Sequence, residues 1–188
     1  MKIFIAGARS IVLLDNAVVE KLHAISQKQY DILIGDCGGV DSAVQRYYTA
    51  LGYRRVTVFA SNGKARNNIG GWNVKNVAVK DDLKGFDFYK QKDIVMAEDA
   101  DYGFMIWDGQ SRGTLNNIIN LLQKDKKVLV YFANENKMRW IADMGELKFI
   151  IDNSPNKVKQ TFRKLFPQAD DLSVNQQLSI FEQHLKMN

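Results

Sequence analysis

The fold is decided by residues 32–42, Ile32-Leu33-Ile34-Gly35-Asp36-Cys37-Gly38-Gly39-Val40-Asp41-Ser42. A short apolar run ends in a glycine-rich turn and then passes into a helical pattern, which predicts a strand, a turn and a helix capped by Asp41 or Ser42. Such a turn presents backbone N–H groups at the positive end of a helix dipole. Gly38 and Gly39 can adopt a positive φ and place no Cβ beside a ligand. The stretch predicts a phosphate site, with a purely structural turn as the alternative.

Composition describes an ordinary globular chain. Its 188 residues are 46% hydrophobic and 25% charged, with a net charge of +5. This is enough for one core and short for two full domains. A single cysteine excludes an internal disulfide framework, no apolar run reaches membrane-spanning length, and Met1-Lys2 leads into a strand rather than a signal peptide, so we expect a cytoplasmic protein. The lysines are scattered, which fits solvated helix faces better than a nucleic-acid groove.

Apolar runs elsewhere complete the predicted sheet. The first run begins at residue 2 and ends in Gly7-Ala8-Arg9-Ser10, as in the first strand of a doubly wound sheet. A helix follows it from Asp15 or Asn16. The sheet is predicted to have at least five strands, near residues 2–7, 31–35, 56–60, 102–107 and 127–132. The fold class is therefore α/β, a Rossmann-like doubly wound parallel sheet.

A second strand-to-helix junction repeats the features of the first. The strand near 102–107 is followed by Asp108-Gly109-Gln110-Ser111-Arg112-Gly113-Thr114 and an amphipathic helix. Arg9 and Ser10 lie at the carboxyl end of the first strand, the edge where open α/β sheets bind ligands. We therefore expect the two junctions and this loop to share one anion site.

Residues 61–72 form the most polar and glycine-rich loop of the chain. Long loops in compact domains are usually functional or disordered, and both alternatives stay open. Ser61, Lys64 and Arg66 supply polar and cationic groups, and Phe59 or Trp72 could stack on a base.

The pattern changes beyond Ala133. Residues 138–141 and 147–151 are predicted as short strands, and a last amphipathic helix over 176–185 would dock on the core or on a second subunit. The predicted division is a Rossmann-like nucleotide-binding domain over 1–133 and a short C-terminal α/β extension over 134–188. A homodimer through the last helix is compatible with this pattern.

Three motifs carry a resemblance to a known family. Gly7-Ala8-Arg9-Ser10, the turn from Gly35 to Asp41, and Trp107 to Thr114 resemble the SLOG superfamily, in particular its YspA/YpsA-like (YAcAr) branch. The loop around Arg66 and the helix around Lys92 lie where that branch has a polar loop and a basic helix start. Its members are Rossmann-like domains related to the LOG phosphoribohydrolases, DprA and molybdenum-cofactor carriers. The resemblance covers roughly residues 1–132 and implies a nucleotide-derivative pocket.

Two positions depart from the family pattern. LOG enzymes have a catalytic glutamate where this chain has Asn117, and an amide cannot act as a general acid or base near neutral pH. Asp36 stands where glycine is common, and a carboxylate beside a phosphate is repulsive unless it holds a ribose hydroxyl or a metal. The hydrolase activity implied by the resemblance is therefore in doubt, and whether the chain is an enzyme stays open.

Two functions are consistent with these residues. The first is a sensor or carrier that binds a nucleotide or ADP-ribose-like ligand through backbone amides and arginines, with Asp36, Asp41 or Asp108 on ribose hydroxyls. The alternative is a nucleotide N-glycosidase with one of these carboxylates, Asp36 and Asp41 foremost, at the anomeric carbon. The predicted ligand-binding residues are Gly7, Arg9, Ser10, Gly35, Asp36, Gly38, Gly39, Asp41, Ser61, Arg66, Asp108, Gly109, Ser111, Arg112, Gly113 and Thr114.

Other chemistries have weaker support in the sequence. Cys37 as a nucleophile has no activating residue near it in the chain. His23 and His184 lie far apart, and no Cys/His spacing suits a metal, so neither a metal nor a cofactor is expected. DNA binding by analogy with DprA would need a stripe of basic and aromatic residues, which the sequence does not show. The expected partner is a nucleotide-derived small molecule, without membrane or nucleic acid.

Overall fold

Seven strands and six helices follow one another along residues 1–170, the part of the chain that the computed structural model describes. The strands are β1 (Lys2–Gly7), β2 (Asp31–Gly35), β3 (Val56–Ser61), β4 (Asn73–Val77), β5 (Tyr102–Trp107), β6 (Val128–Phe132) and β7 (Lys137–Ile141). The helices are α1 (Asn16–Gln27), α2 (Val40–Ala50), α3 (Gly85–Asp99), α4 (Arg112–Leu122), α5 (Met144–Asp152) and α6 (Asn156–Leu165), followed by a 3-10 turn at Pro167–Asp170.

All seven strands form one sheet in the order β4-β3-β2-β1-β5-β6-β7. The first six are parallel, and β7 runs antiparallel to β6. The chain builds outward from β1 to β4 and then returns to the other side of β1 with β5. This reversal creates a topological switch point between β1 and β5, where a crevice opens at the carboxyl ends of the strands. The predicted doubly wound α/β fold is confirmed.

The core lies on both faces of the sheet because helices cover both. On one face Phe4, Met105 and Trp107 pack with α3 and α4. On the other face Ile5 and Ile106 pack with α1 and α2. This explains why the strand sequences are continuous apolar runs rather than alternating ones.

The C-terminal region differs from the prediction at one element. Residues 137–141 form a strand as predicted, but residues 147–151 lie in helix α5 instead of a strand. Asp143 caps this helix by accepting from Glu146 N (2.9 Å), and Glu146 Oε2 accepts from Ala142 N (2.7 Å), the residue before the cap. The apolar run Phe149-Ile150-Ile151 obscured this signal in the sequence.

The predicted division at residue 133 falls between β6 and β7, which pair in the same sheet. The predicted helix over 176–185 lies outside the described residues. Within residues 1–170, no helix has both the length and the apolar character needed to cross a membrane.

Candidate functional site

A cavity of about 550 Å³ opens at the carboxyl edge of the sheet, over the switch point between β1 and β5. The ends of β1, β2 and β5, one side of α3 from Gly85 to Met96 and the first turns of α4 form its walls. Of the predicted site residues, its lining includes Gly7, Arg9, Ser10, Gly35, Asp41, Asp108, Ser111, Arg112 and Gly113. Asp36, Gly38, Gly39, Ser61, Arg66, Gly109 and Thr114 lie outside that lining. The structure thus brings residues from three separate junctions together, while their role in binding stays a prediction.

The two glycines of the first turn have different roles. Gly39 has a φ of +69°, and a Cβ there would lie 2.5 Å from both Cα and O of Arg9. Gly38 has open space around it and is not among the positive-φ residues. The absent Cβ at Gly39 therefore lets the turn pack against the loop after β1, where Val40 N donates to Ala8 O (3.2 Å). Only one of the two predicted positive-φ glycines is confirmed.

The predicted cap of α2 is wrong in its details. Gly39 occupies the N-cap position of this helix. Asp41 instead accepts a hydrogen bond from Cys37 N (3.2 Å), and Ser42 Oγ donates to Cys37 O (2.8 Å). Both side chains therefore reach back and fix the turn rather than the helix end.

Asp108 joins two of the loops. Its Oδ2 accepts a hydrogen bond from Ser10 Oγ (2.8 Å), which connects the loop after β1 to the loop after β5. Its Oδ1 accepts from Ser111 N (2.7 Å) and Gln110 N (3.1 Å). Ser111 then caps α4 by accepting from Thr114 N (3.3 Å). Both oxygens of Asp108 are engaged by the protein, so this carboxylate shapes the site.

Asp36 is bound by Arg66. The carboxylate is only 3% exposed and accepts from Arg66 Nη2 (2.6 Å), Nε (3.0 Å) and the backbone N (3.1 Å). Burial alone would raise the pKa of Asp36, but these hydrogen bonds and the charge of Lys92 hold it below its usual value. Asp36 is therefore an ionised anchor for the polar loop, which explains why an acid stands here.

A buried lysine that is not among the predicted ligand-binding residues lies beside the pair of Asp36 and Arg66. Lys92 is 3% exposed; its Nζ lies 2.8 Å from Asp93 Oδ1 and 4.0 Å from Asp36 Oδ1. Burial lowers its pKa, but the charges of Asp93 and Asp41 outweigh this and the pKa is raised, so the lysine is charged. Gly35 makes the arrangement fit, since a Cβ there would overlap Asp41 Oδ2 and Lys92 Nζ.

Asp41 titrates in an unusual range. Burial raises the pKa of this carboxyl to about 7, against the opposing charge of Lys92. In the unfolded chain an aspartate has a pKa of about 4. The folded protein therefore binds this proton more tightly, and the resulting stabilisation is complete below about pH 4 and is lost as the pH rises through about 7.

We expect the free energy of unfolding of the wild type to fall, relative to that of Asp41→Asn, between about pH 4 and pH 8. Urea unfolding of both proteins across this range measures the difference. The variant is the matched control because it lacks only the titrating group. Parallel pH profiles for the two proteins would show that Asp41 has an ordinary pKa in the folded state.

Three arginines and two aromatic rings meet at the mouth of the cavity. Arg112 Cζ lies 3.8 Å from the centroid of the Phe86 ring, and Arg66 and Arg9 lie 4.6 and 5.8 Å from that of Tyr89. We call these five residues the arginine–aromatic cluster. In residues 1–170, neither Arg9 nor Arg112 has a carboxylate within ion-pair distance. Two guanidinium groups are thus available to an anion.

The two residues predicted to stack on a base, Phe59 and Trp72, do not line the cavity. Phe59 and Trp72 are buried in the core, where Trp72 Nε1 donates to Tyr53 O (2.9 Å). The rings at the cavity are instead the half-buried Phe86 and Tyr89 in the first turns of α3. Their spacing of three residues puts them on one helix face and was the available signal.

Cys37 has two cationic neighbours from distant parts of the chain. Arg66 Nη2 lies 3.0 Å and Arg9 Nη2 lies 3.6 Å from its Sγ, and both can donate to the sulfur. Neither contact could be predicted from the sequence, because the partners lie 28 and 29 residues apart in the chain. Across residues 1–170, no cluster of three or more His, Cys, Asp or Glu side chains is arranged to hold a metal.

No protein-family profile and no curated protein matches the chain. Among solved structures, the chain is similar to DNA processing protein A (DprA) of Helicobacter pylori, a protein described for its single-stranded DNA binding mode. The sequence identity is 12%, the match covers 89% of this chain and 81% of that one, and the TM-score is 0.56. This similarity shows that the two proteins share a Rossmann-like fold.

The comparison corrects two expectations. The neighbour binds single-stranded DNA, so the predicted nucleotide or ADP-ribose-like ligand is wrong, together with its N-glycosidase alternative. The expectation that nucleic acid is not a partner is wrong for the same reason. The sequence shows no stripe of basic and aromatic residues, because the members of the arginine–aromatic cluster come from four separate parts of the chain.

Proposed function

We propose that this chain binds single-stranded nucleic acid, DNA in particular, at the arginine–aromatic cluster. The observation that carries the proposal is the meeting of Arg9, Arg66 and Arg112 with the rings of Phe86 and Tyr89 at the mouth of the cavity. Sites for single strands combine cations that follow the phosphates with rings that stack on bases. The cluster offers both over the switch point of the sheet.

The arginines differ in how they can act. Arg66 is held by Asp36 and lies over Tyr89, so it acts as a fixed part of the wall. Arg9 and Arg112 are exposed and unpaired with acids among the described residues, which leaves their charge for phosphate groups. Planar guanidinium groups suit phosphate oxygens because they can donate two parallel hydrogen bonds.

The aromatic rings favour a single strand over a duplex. A base can stack on a ring only when its face is free, and base–aromatic stacking contributes roughly 1–3 kcal/mol per base. In a duplex the base faces are occupied by neighbouring pairs. Binding by stacking is expected to depend little on the base sequence of the strand, because every base has a π-face.

The finer family relationship is part of this proposal. We propose membership of the SLOG superfamily, near its YspA/YpsA-like branch, on the three motifs at Gly7–Ser10, Gly35–Asp41 and Trp107–Thr114. The likeness to DprA supports it, because the superfamily includes DprA. The hydrolases of that superfamily carry a glutamate where this chain has Asn117, so the proposal does not extend to their activity.

A salt titration tests the proposed function. The probe is a fluorescent single-stranded oligonucleotide. We expect the logarithm of its binding constant to fall linearly with the logarithm of the salt concentration. The slope should become less steep by about 0.7 for each phosphate contact that a variant removes. Arg9→Ala and Arg112→Ala should each show this change and weaken binding at low salt. Fluorescence anisotropy at several salt concentrations measures both quantities.

The matched control is Arg55→Ala. Arg55 pairs with Asp31 next to the amino ends of β2 and β3, on the opposite edge of the sheet from the cavity. Its removal takes away the same charge without touching the site. If binding is absent at low salt, or if Arg55→Ala loses as much affinity as Arg112→Ala, the proposed site is wrong.

A further inference from the structure

Cys37 is a half-buried free cysteine on the wall of the cavity described above. Its backbone is fixed on both sides, because Cys37 N donates to Asp41 Oδ2 and Cys37 O accepts from Ser42 Oγ. The sulfur therefore has a defined place at the carboxyl edge of the sheet. It is the only cysteine among the 188 residues, so any thiol chemistry of this chain takes place at the cavity.

Two guanidinium groups lie against the sulfur. Arg66 Nη2 is 3.0 Å and Arg9 Nη2 is 3.6 Å from Cys37 Sγ. Arg66 is engaged by Asp36, whereas Arg9 has no carboxylate within ion-pair distance in residues 1–170. A negatively charged group that approaches Cys37 therefore meets an unpaired cation beside the sulfur. Such a charge in a cleft raises the local concentration of anions and the rate at which they arrive.

A second feature of the cavity also indicates an occupant with acceptor oxygens. Asn117 lies on α4, is 5% exposed and lines the cavity. Its Oδ1 is sealed off and has no partner within residues 1–170, so the accessible amide atom is the donor Nδ2, which donates to no described residue. A buried polar group without a partner costs about 1–3 kcal/mol. A carboxylate in the cavity would supply the missing acceptor, since it has only acceptor oxygens.

We propose that Cys37 is a modification site for small disulfides that carry carboxylate groups, and that its modification regulates the binding of the nucleic-acid strand. The thiolate sulfur of Cys37 attacks one sulfur of the disulfide and forms a new S–S bond. The old S–S bond breaks, and the second half of the reagent leaves as a thiolate. The thiol proton of Cys37 passes to solvent, so the disulfide itself is the oxidant and no other reactant is needed.

The attached carboxylate explains the regulation. It lies beside Arg9, where it neutralises a cation that the proposed function assigns to phosphate, and Asn117 Nδ2 donates to it from the cavity wall. The regulatory part of the inference therefore rests on the proposed function. The modification itself does not, because it needs only the sulfur, the cation and the cavity.

Dithiodiglycolate and hydroxyethyl disulfide are the probes, because they are similar in size and differ in the charge of their ends. The intact mass of the protein follows each reaction before any nucleic acid is added. The same thiol in the urea-unfolded chain gives the intrinsic ratio of the two rates. We expect the folded protein to favour dithiodiglycolate by about tenfold over this ratio, the lower end of electrostatic steering in clefts.

Three variants test the groups that attract the charged probe. Arg9→Ala should bring the ratio of rates close to that of the unfolded chain, whereas Arg55→Ala removes the same charge at the opposite edge of the sheet and should keep the ratio. Asn117→Leu should slow only the charged probe, by about two- to tenfold for one hydrogen bond. A folded protein with the ratio of the unfolded chain, or a ratio that both Arg9→Ala and Asn117→Leu leave unchanged, would overturn the modification site.

Strand binding after modification tests the regulatory part. With the fluorescent oligonucleotide, the carboxylate adduct should bind more weakly at low salt, and the salt slope should be less steep by about 0.7 for one lost phosphate contact. The hydroxyethyl adduct adds similar bulk without charge and should change the slope little. Dithiothreitol should restore the affinity, and treatment of Cys37→Ser with either probe should not alter its binding.

The outcomes separate this inference from the proposed function. Equal affinity of the carboxylate adduct and the untreated protein would overturn the regulation and leave strand binding intact. Absence of strand binding by the untreated protein would overturn the proposed function and the regulation with it. In that case the ratio of modification rates would still decide whether Cys37 is a modification site.

Discussion

Gly39→Val is expected to reduce the free energy of unfolding by about 2–5 kcal/mol. A residue with a Cβ costs about 1–2 kcal/mol in the left-handed region that Gly39 occupies. Overpacking against the backbone of Arg9 adds about 1–3 kcal/mol, since a Cβ would lie 2.5 Å from its Cα and its O. The hydrogen bond from Val40 N to Ala8 O holds this loop in place. Its backbone atoms therefore cannot move aside as the end of a flexible side chain can.

Urea unfolding measures this loss, and Gly38→Ala is the control. The added Cβ of Gly38→Ala meets no atom within 4 Å, so its effect should stay within about 0.5 kcal/mol. A valine at position 39 that leaves the unfolding midpoint unchanged would mean that the loop after β1 is not held against the turn. The expected loss concerns the fold itself and needs no ligand, unlike the ligand-space role that the sequence alone suggested for this glycine.

Lys92→Met is the second substitution with a large expected effect. Removal of one partner from a buried charge group costs about 3–5 kcal/mol, because the remaining charges stay buried without compensation. Here Asp93, Asp36 and Asp41 would all lose the buried cation, and Asp36 keeps another, Arg66. The loss should shrink toward acidic pH, where protonation neutralises the carboxyl groups that Lys92 balances.

Lys90→Met tests whether burial causes the effect. Lys90 lies two residues earlier on the same helix and pairs with the exposed Asp87 at the surface. Surface pairs of this kind contribute little, so the variant should unfold almost as the wild type does. If both lysine variants lose the same stability in urea at neutral pH, the buried charge group does not stabilise the fold.

The architecture could be predicted from the sequence because local signals and tertiary structure agree there. The runs before Gly7 and Gly35 are apolar without alternation, as strands covered on both faces require. The glycine-rich turns after them marked the carboxyl edge correctly. The prediction failed at residues 147–151, where an apolar run suggested a strand although Asp143 caps a helix through Glu146 N.

The site was less predictable because its decisive contacts join distant residues. Arg66 binds Asp36 although the two lie 30 residues apart in the chain, and Lys92 contacts Asp36 from helix α3. The sequence shows that an aspartate at position 36 is unusual, but it does not show that Arg66 is its partner. The stacking surface was assigned to Phe59 and Trp72 because they flank the polar loop, yet both enter the core. Only the folded chain shows that the two rings of the arginine–aromatic cluster come from α3.

Gly35 has a consequence for how relatives of this chain can diverge. The space that its missing Cβ leaves is taken by Asp41 Oδ2 and Lys92 Nζ, so each of the three positions restricts the other two. A larger residue at position 35 needs both charged side chains to move or to be replaced, and loss of Lys92 alone leaves buried carboxyl groups without their cation. Evolution must therefore change these positions together, and in homologous chains they are expected to covary as one unit.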